Sequence, residues 1–277
     1  MKIVATKSGR AVLAGVALAL LLSATGCSKL RARDQLNQGV QAYKASHFET
    51  AEQHFRNAID LDPELRVAQL YLATACFSQY APGVDSADNM KKANCAIEQY
   101  LHVLEVDPGN VLSAKGLASI YFNMKKWDEA KKWNEKAISL DPRDPENYYS
   151  VAVIEWTQSY LPRKEKRLAA GINDDKLPIK DKKLCAEVKE MNEQRVNDGI
   201  EKLNKAMSLR KDYEDAMSYL NLLYRERADI QCGDEEARKA DLDKADELVA
   251  KVMDIKQAKL KKAGEQHGIV LDQPQNQ

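Results

Sequence analysis

The segment WDEAKKWNEKAISLDP, residues 127–142, carries the pattern that decides the fold. Ala130 and Ala137 lie on one face of a predicted helix, and the pair Asp141 and Pro142 closes the segment. The same spacing recurs 34 residues earlier, at Ala96, Val103, Val106, Asp107 and Pro108. A period of 34 residues is typical of a helix-turn-helix repeat, whose units bury their apolar faces only by stacking. The sequence therefore predicts an all-α solenoid with a groove, and a groove favours binding over catalysis.

Five such units are predicted in the chain. Small residues in the first helix, such as Gly39 and Ala118, face small residues in the second helix, so that the two helices approach closely. Proline closes the first three units, because it has no amide hydrogen with which to continue a helix. The predicted units are residues 32–65, 66–110, 111–144, 145–213 and 214–258.

The small, apolar and proline positions of these units resemble the tetratricopeptide repeat (TPR) over most of the chain. The fullest match is the third unit, with Leu117, Ala118, Tyr121, Trp127, Ala130, Ala137, Leu140 and Pro142. The resemblance implies an all-α TPR helix-turn-helix solenoid of about five repeats, in which the first helix of each unit lines the concave wall.

Two of the first four units are longer than 34 residues. In the second unit the surplus surrounds Pro82 and Gly83, a pair that indicates a longer turn between helices. In the fourth unit an insertion is predicted at about 157–198, with a helix from Lys182 to Asn197. The motif weakens beyond Lys211, and residues 259–277 are predicted to be a helix end and a flexible tail.

The start of the chain has the features of an export signal. A basic beginning is followed by the apolar run from Ala11 to Leu22, which is too short to span a bilayer with margin. Ala24, Thr25 and Gly26 then precede Cys27, an arrangement that resembles the lipobox of bacterial lipoproteins.

The lipobox resemblance implies a signal peptide at residues 1–26 and a lipidated tether at residues 27–31, with the lipid on Cys27. It also implies a protein held at the outer membrane and facing the periplasm, with more than one acyl chain for stable anchoring. An ordinary signal peptide followed by an unmodified cysteine is the alternative.

Charge limits the class of partner. Three basic residues and no acidic residue fall within residues 1–26, which leaves a slightly acidic mature chain. A nucleic-acid-binding protein is expected to be strongly basic, so nucleic acid is disfavoured as a partner.

Four cysteines follow Cys27, and an even number in an exported chain permits two disulfides. The repeat arrangement favours pairs between segments that it places close together, while buried free thiols remain the alternative. The favoured pairs are Cys76 with Cys95 and Cys185 with Cys232.

Aromatic residues recur at one position of the first helices. The repeat alignment places Tyr43, Phe77, Phe122 and Trp156 at this position, with Leu36, Leu70 and Tyr149 one helical turn away. The TPR resemblance puts these seven residues on the wall of a partner-binding groove, where rigid amphipathic rings suit an extended peptide or an apolar helix. Alternatively, the rings only fill the seams between units. Leu36 and Val40 occupy the places where some TPR domains hold a partner's terminal carboxylate with Lys and Asn, so that clamp is absent.

The insertion in the fourth unit is rich in basic residues, which suit either contact with anionic lipid or an acidic partner, or simple solvation of a loop. These residues are Arg163, Lys164, Lys166, Arg167, Lys176, Lys180, Lys182 and Lys183.

The sequence has none of the familiar catalytic patterns. The four histidines are scattered without metal-ligand spacing, and the chain contains no HExxH motif and no Gly-rich phosphate loop. The sequence thus predicts a non-enzymatic envelope scaffold that binds protein partners and needs no cofactor, metal or small-molecule substrate. A peptidoglycan- or anionic-lipid-binding module is the alternative, and a thiol-redox or hydrolytic enzyme is a third hypothesis.

Overall fold

The computed structural model describes residues 27–173 and 178–266, with side chains as far as residue 263, and throughout these residues the regular structure is α-helical. The helices follow one another through short turns. They are α1 (27–44), α2 (Phe48–Leu61), α3 (Arg66–Gln79), α4 (Ala87–Val106), α5 (Val111–Asn123), α6 (Trp127–Leu140), α7 (Pro145–Ala169), α8 (Lys182–Leu209), α9 (Glu214–Asp229) and α10 (Glu235–Gln266).

Short polar side chains fix where several helices begin. The side-chain oxygens of Ser86, Asn110 and Asp181 each accept a hydrogen bond from the backbone N–H three residues further on. Such caps satisfy one of the amide groups that the first turn of a helix leaves without a partner. In the turn after α6, Asp141 accepts from the backbone N–H of Arg143 at 3.1 Å. The Asp-Pro pairs seen in the sequence therefore end one helix and start the turn to the next.

The helices are grouped into two compact units, one containing α1–α5 and the other α6–α10. The boundary between Met124 and Lys125 falls in the turn inside the predicted repeat 111–144. Within each unit, helices that are adjacent in sequence pack against each other, as in stacked helix-turn-helix repeats.

In the first unit, large aromatic rings pack against glycines of neighbouring helices. A Cβ atom at Gly39 would lie 2.5 Å from Cε1 of Phe55, a fully buried side chain whose ring stacks on Tyr71. A Cβ at Gly116 would likewise overlap the ring of Tyr100. These two glycines therefore bring α1 close to α2 and α5 close to α4.

Polar contacts also connect the helices of the first unit. Glu52 of α2 accepts hydrogen bonds from Gln79 of α3 at 2.8 Å and from Lys92 of α4 at 3.0 Å. Burial acts to raise the pKa of Glu52, but hydrogen bonds from Lys92, Gln79 and Arg56 outweigh it and leave the pKa below its ordinary value. Glu52 is therefore ionised at neutral pH and holds three helices together.

Each unit contains one disulfide, and the bonded pairs are those favoured from the sequence. Cys76 of α3 is bonded to Cys95 of α4, with their Cα atoms 5.9 Å apart. Cys185, near the start of α8, is bonded to Cys232 in the turn after α9, with Cα atoms 5.5 Å apart.

The insertion expected at about 157–198 does not form a lobe of its own where it is described. Residues 157–169 continue α7, although Pro162 lies within this helix, and residues 182–198 are the first part of α8. The fourth helix pair is therefore longer than the others. The reason is that Arg163 and Arg167 of the extended α7 pair with carboxylates of α9, so that the extra turns are packed and not solvated.

Residues 27–31, which the sequence predicts to be a lipidated tether, are helical and form the start of α1. No Gly or Pro lies between Ser28 and Arg31 to stop a helix, and Ala32 is fully buried. The predicted signal peptide, residues 1–26, and the end of the predicted tail, residues 267–277, lie outside the described residues.

Candidate functional site

The seven residues predicted to line a groove all lie on the first helices of their repeats, and all are half-buried. They are divided between the two compact units. Leu36, Tyr43, Leu70, Phe77 and Phe122 belong to the first unit, and Tyr149 and Trp156 to the second.

In the first unit, Tyr43 takes part in packing. Its ring lies 5.2 Å from that of Phe48, and its hydroxyl shares a hydrogen bond of 2.9 Å with Ser78 of α3. Tyr43 thus contributes to the seam between the first two helix pairs, which is the alternative role considered for these rings.

In the second unit, four half-buried rings form one continuous patch, which we call the aromatic surface: Tyr149, Trp156 and Tyr160 of α7 and Tyr219 of α9. Tyr219 meets Tyr149 edge-on at 5.5 Å and Trp156 edge-on at 5.4 Å, measured between ring centroids. Trp156 stacks on Tyr160 at 5.0 Å. The structure therefore brings the predicted Tyr149 and Trp156 together through a ring of the neighbouring repeat.

Sequence reasoning did not assign Tyr160 and Tyr219 to the groove. Tyr160 follows Trp156 by one helical turn, but it lies inside the segment that the repeat spacing predicts to be an insertion. Tyr219 lies in the fifth repeat, beyond the point where the motif weakens. The available signal was the spacing of four residues between Trp156 and Tyr160, which places both rings on one helix face.

A group of hydrogen-bonded side chains, Glu146, Arg210 and Tyr213, lies beside the aromatic surface. The hydroxyl of Tyr213 donates a hydrogen bond of 2.5 Å to Glu146, which also accepts one of 2.6 Å from Arg210. The buried Tyr213 ring packs 5.3 Å from Tyr149. Burial, with smaller contributions from Tyr219 and nearby carboxylates, raises the pKa of Tyr149 to about 12. Tyr149 is therefore a neutral hydrogen-bond donor at physiological pH.

A pocket of about 230 Å³, which we call the end pocket, adjoins the aromatic surface where α7, α9 and α10 meet. Aromatic and aliphatic side chains form its walls, and charged side chains form the rest. It is lined by Trp156, Tyr160, Arg163, Leu222, Arg225, Glu226, Ala228, Asp229, Arg238 and Leu242.

The base of the end pocket is a buried ionic cluster. Arg163 donates to Glu226 at 2.6 Å and to Asp229 at 2.7 Å, and Arg167 donates to Asp229 at 3.0 Å. All four side chains are at least nine-tenths buried. Burial raises the pKa of Asp229, while the two arginines act in the opposite direction.

The ionic cluster changes the interpretation of the basic insertion. Arg163 and Arg167 are buried against carboxylates and do not face solvent, and Lys166 pairs with Glu187 at 2.8 Å. Lys176 lies outside the described residues. Of the rest, Lys164, Lys180, Lys182 and Lys183 are exposed.

One group of side chains with the spacing of metal ligands lies in the described part of the chain. Glu52, Cys76 and Cys95 place an oxygen and two sulfurs within 4.8 Å of one another, but both sulfurs are in a disulfide and offer no thiolate to a metal. Cys27 is exposed and has a free thiol. Within residues 27–173 and 178–266, no helix is both long and apolar enough for a membrane span.

Comparison with known proteins agrees with the fold described above. The model of the tetratricopeptide repeat family matches residues 116–144. Among solved structures, the MamA RS-1 ArsTM double mutant superimposes with a TM-score of 0.55 at 15% identity, over 83% of this chain and 96% of that one. MamA 41-end from Desulfovibrio magneticus RS-1 gives a TM-score of 0.54 at 15% identity, over 82% and 96% of the two chains.

A curated relative, the human protein O-mannosyl-transferase TMTC3, is 27% identical over 187 residues. The match covers 66% of this chain, which spans about a fifth (19%) of the length of that protein. The fold class is therefore an all-α TPR-like helix-turn-helix solenoid, as the sequence predicted.

Proposed function

We propose that this chain binds a segment of a partner protein on the aromatic surface and acts as a non-enzymatic scaffold in a bacterial envelope complex. The observation that carries the proposal is the pair of edge-on contacts from Tyr219 to Tyr149 and Trp156, which joins the first helices of two neighbouring repeats. Half-buried aromatic rings on rigid helices bind extended peptides or apolar helices at a low cost in conformational entropy.

Neighbouring contacts support a role in binding as well as in packing. Tyr149 packs on Tyr213, which donates a hydrogen bond to Glu146, and Trp156 and Tyr219 pack against the same buried core cluster, so these rings are positioned before a ligand arrives. A preformed site loses less entropy on binding than one that must be ordered.

The binding test compares two tyrosines of the same helix. Tyr219→Ala is expected to weaken partner binding about tenfold or more, because it removes the ring that joins α7 to α9. Tyr224→Ala is the matched control, since Tyr224 of α9 lies against the cationic side chains of Arg227 and Lys244 and outside the aromatic surface. The measurement is recovery of crosslinked partners from the native cell, followed by titration of the purified pair. Equal recovery with Tyr219→Ala and Tyr224→Ala would contradict the proposal.

The proposed location is the periplasmic side of the outer membrane, with lipid on Cys27. The lipobox-like residues before Cys27 support it, as does the exposed thiol of Cys27 at the start of α1. A single acyl chain gives only marginal membrane binding, so we propose that several chains are attached.

Metabolic labelling tests the anchor. Radiolabelled palmitate is expected to enter the wild-type protein and to be lost completely in Cys27→Ser, which should also leave the membrane fraction. Cys76→Ser with Cys95→Ser serves as the control and should retain the label, because these cysteines are joined in a disulfide. Label that persists in Cys27→Ser would overturn the proposed anchor.

The other two hypotheses have weaker support. A module for peptidoglycan or anionic lipid would use the basic insertion, two of whose arginines are buried in ion pairs. A thiol-redox enzyme would use the four later cysteines, which are joined in two disulfides.

A further inference from the structure

The end pocket has the size of a single side chain. Its volume of about 230 Å³ lies below the roughly 300–1,000 Å³ of sites that enclose a drug-sized molecule. Trp156 and Tyr160 form one apolar wall, and Leu222 and Leu242 contribute a second apolar surface. A planar ring that enters the pocket would contact the side chains of Trp156 and Tyr160.

The charges of the end pocket are arranged in two layers. Its two carboxylates, Glu226 and Asp229, are buried and hydrogen-bonded to Arg163. Arg225 is exposed and Arg238 is half-buried, and both line the pocket. The positive charge is therefore nearer to solvent than the negative charge, and the opening is complementary to an acidic group.

Arg225 is able to exchange its partner. It donates to Asp246 at 2.6 Å, but the Asp246 side chain is 72% exposed. An exposed ion pair of this kind contributes little free energy, so a carboxylate from a ligand can replace Asp246 or share the guanidinium with it. The rings beside it then offer apolar contact that Asp246 does not make.

Resting on the proposed function, we propose that the end pocket receives one aromatic side chain of the partner protein, and that Arg225 and Arg238 bind a carboxylate next to that side chain in the partner sequence. The aromatic surface binds the neighbouring residues of the same segment. The partner segment thus contains an aromatic residue flanked by Asp or Glu.

Two short peptides test this inference by ¹⁹F NMR: acetyl-Asp-(4-fluoro-Phe)-Asp-amide and acetyl-Lys-(4-fluoro-Phe)-Lys-amide, titrated with the full chain. We expect the acidic peptide to bind at least tenfold more tightly than the basic one. Its affinity should fall as salt is raised, because exposed charges are screened. Equal affinity of the two peptides, or binding of neither, would overturn the inference.

Variants locate the binding site. Arg225→Gln is expected to weaken the acidic peptide about fivefold to tenfold, and Trp156→Ala is expected to weaken both peptides, because each carries the ring that contacts Trp156. Lys91→Gln is the matched control, because Lys91 also pairs with an exposed carboxylate, that of Asp88 at 2.9 Å, but lies in the first unit and does not line the pocket. Circular dichroism of each variant establishes that it is folded. An equal loss in Arg225→Gln and Lys91→Gln would refute the assignment to this pocket.

The two proposals fail in different ways. If Tyr219→Ala loses the partner while Arg225→Gln keeps it at full affinity, the proposed function stands and the assignment of the end pocket is wrong. If Tyr219→Ala keeps the partner and the acidic peptide still binds at Arg225, the end pocket binds a ligand of its own and the proposed use of the aromatic surface is wrong.

Discussion

Replacing Asp229 by alanine is expected to destabilise the second unit by about 3–5 kcal/mol. Asp229 accepts hydrogen bonds from Arg163 at 2.7 Å and from Arg167 at 3.0 Å, and both arginines are at least nine-tenths buried. Asp229→Ala removes one carboxylate acceptor from each of these two buried guanidinium groups. Breaking buried ion pairs in this way costs more than the net contribution of the intact pairs.

Tryptophan fluorescence in urea measures this effect selectively, because the three tryptophans of the chain, Trp127, Trp133 and Trp156, all lie in the second unit. Asp243→Ala is the control, since Asp243 pairs with Lys239 on the exposed side of α10 and should change stability by less than about 1 kcal/mol. Similar midpoints for Asp229→Ala and Asp243→Ala would show that the buried ionic cluster does not hold α7 to α9.

The ionic cluster is a feature of the fold that the sequence did not predict. The 34-residue spacing predicted the helix pairs because it records local packing, with small residues opposite large ones and a proline at each end. The extension of α7 depends on pairing between residues 62 to 66 positions apart, such as Arg163 with Asp229. No periodicity in the sequence encodes such a pairing, so the sequence predicts a basic surface at positions where two of the arginines belong to the core.

The sequence predicted only part of the aromatic surface, because some of its contacts also depend on the packing of distant segments. Tyr149 and Trp156 recur at repeat positions, and alignment of the repeats was enough to find them. Tyr219 contacts both rings, but it lies in a repeat whose motif is weak. Its contacts depend on how α9 packs on α7, and only the structure shows that packing. A solenoid motif thus indicates which helices line a binding surface more reliably than it indicates which side chains complete that surface.

Phe55→Ala is expected to destabilise the first unit by about 3–5 kcal/mol, the cost of removing a large ring from a well-packed core. Phe55 is fully buried between Gly39 of α1 and the stacked ring of Tyr71. Hydrogen–deuterium exchange of peptides from α1 to α3 measures the loss where it arises, because amide protection reports local opening free energy. Exchange that does not change in these peptides would mean that the ring is not essential to the packing of α1 on α2.

The ring of Phe55 also determines whether a second substitution, Gly39→Ala, raises or lowers the stability of the protein. Gly39→Ala is expected to destabilise the wild-type protein by about 1–2 kcal/mol, because overlap with Phe55 outweighs the roughly 1 kcal/mol that alanine gains over glycine inside a helix. In the Phe55→Ala background the overlap disappears, so Gly39→Ala should stabilise by up to about 1 kcal/mol. Asn37→Ala, at an exposed position of α1, changes helix propensity alone and should have the same effect in both backgrounds. If Gly39→Ala is equally destabilising with and without the ring, then contact with Phe55 is not the reason for glycine at this position.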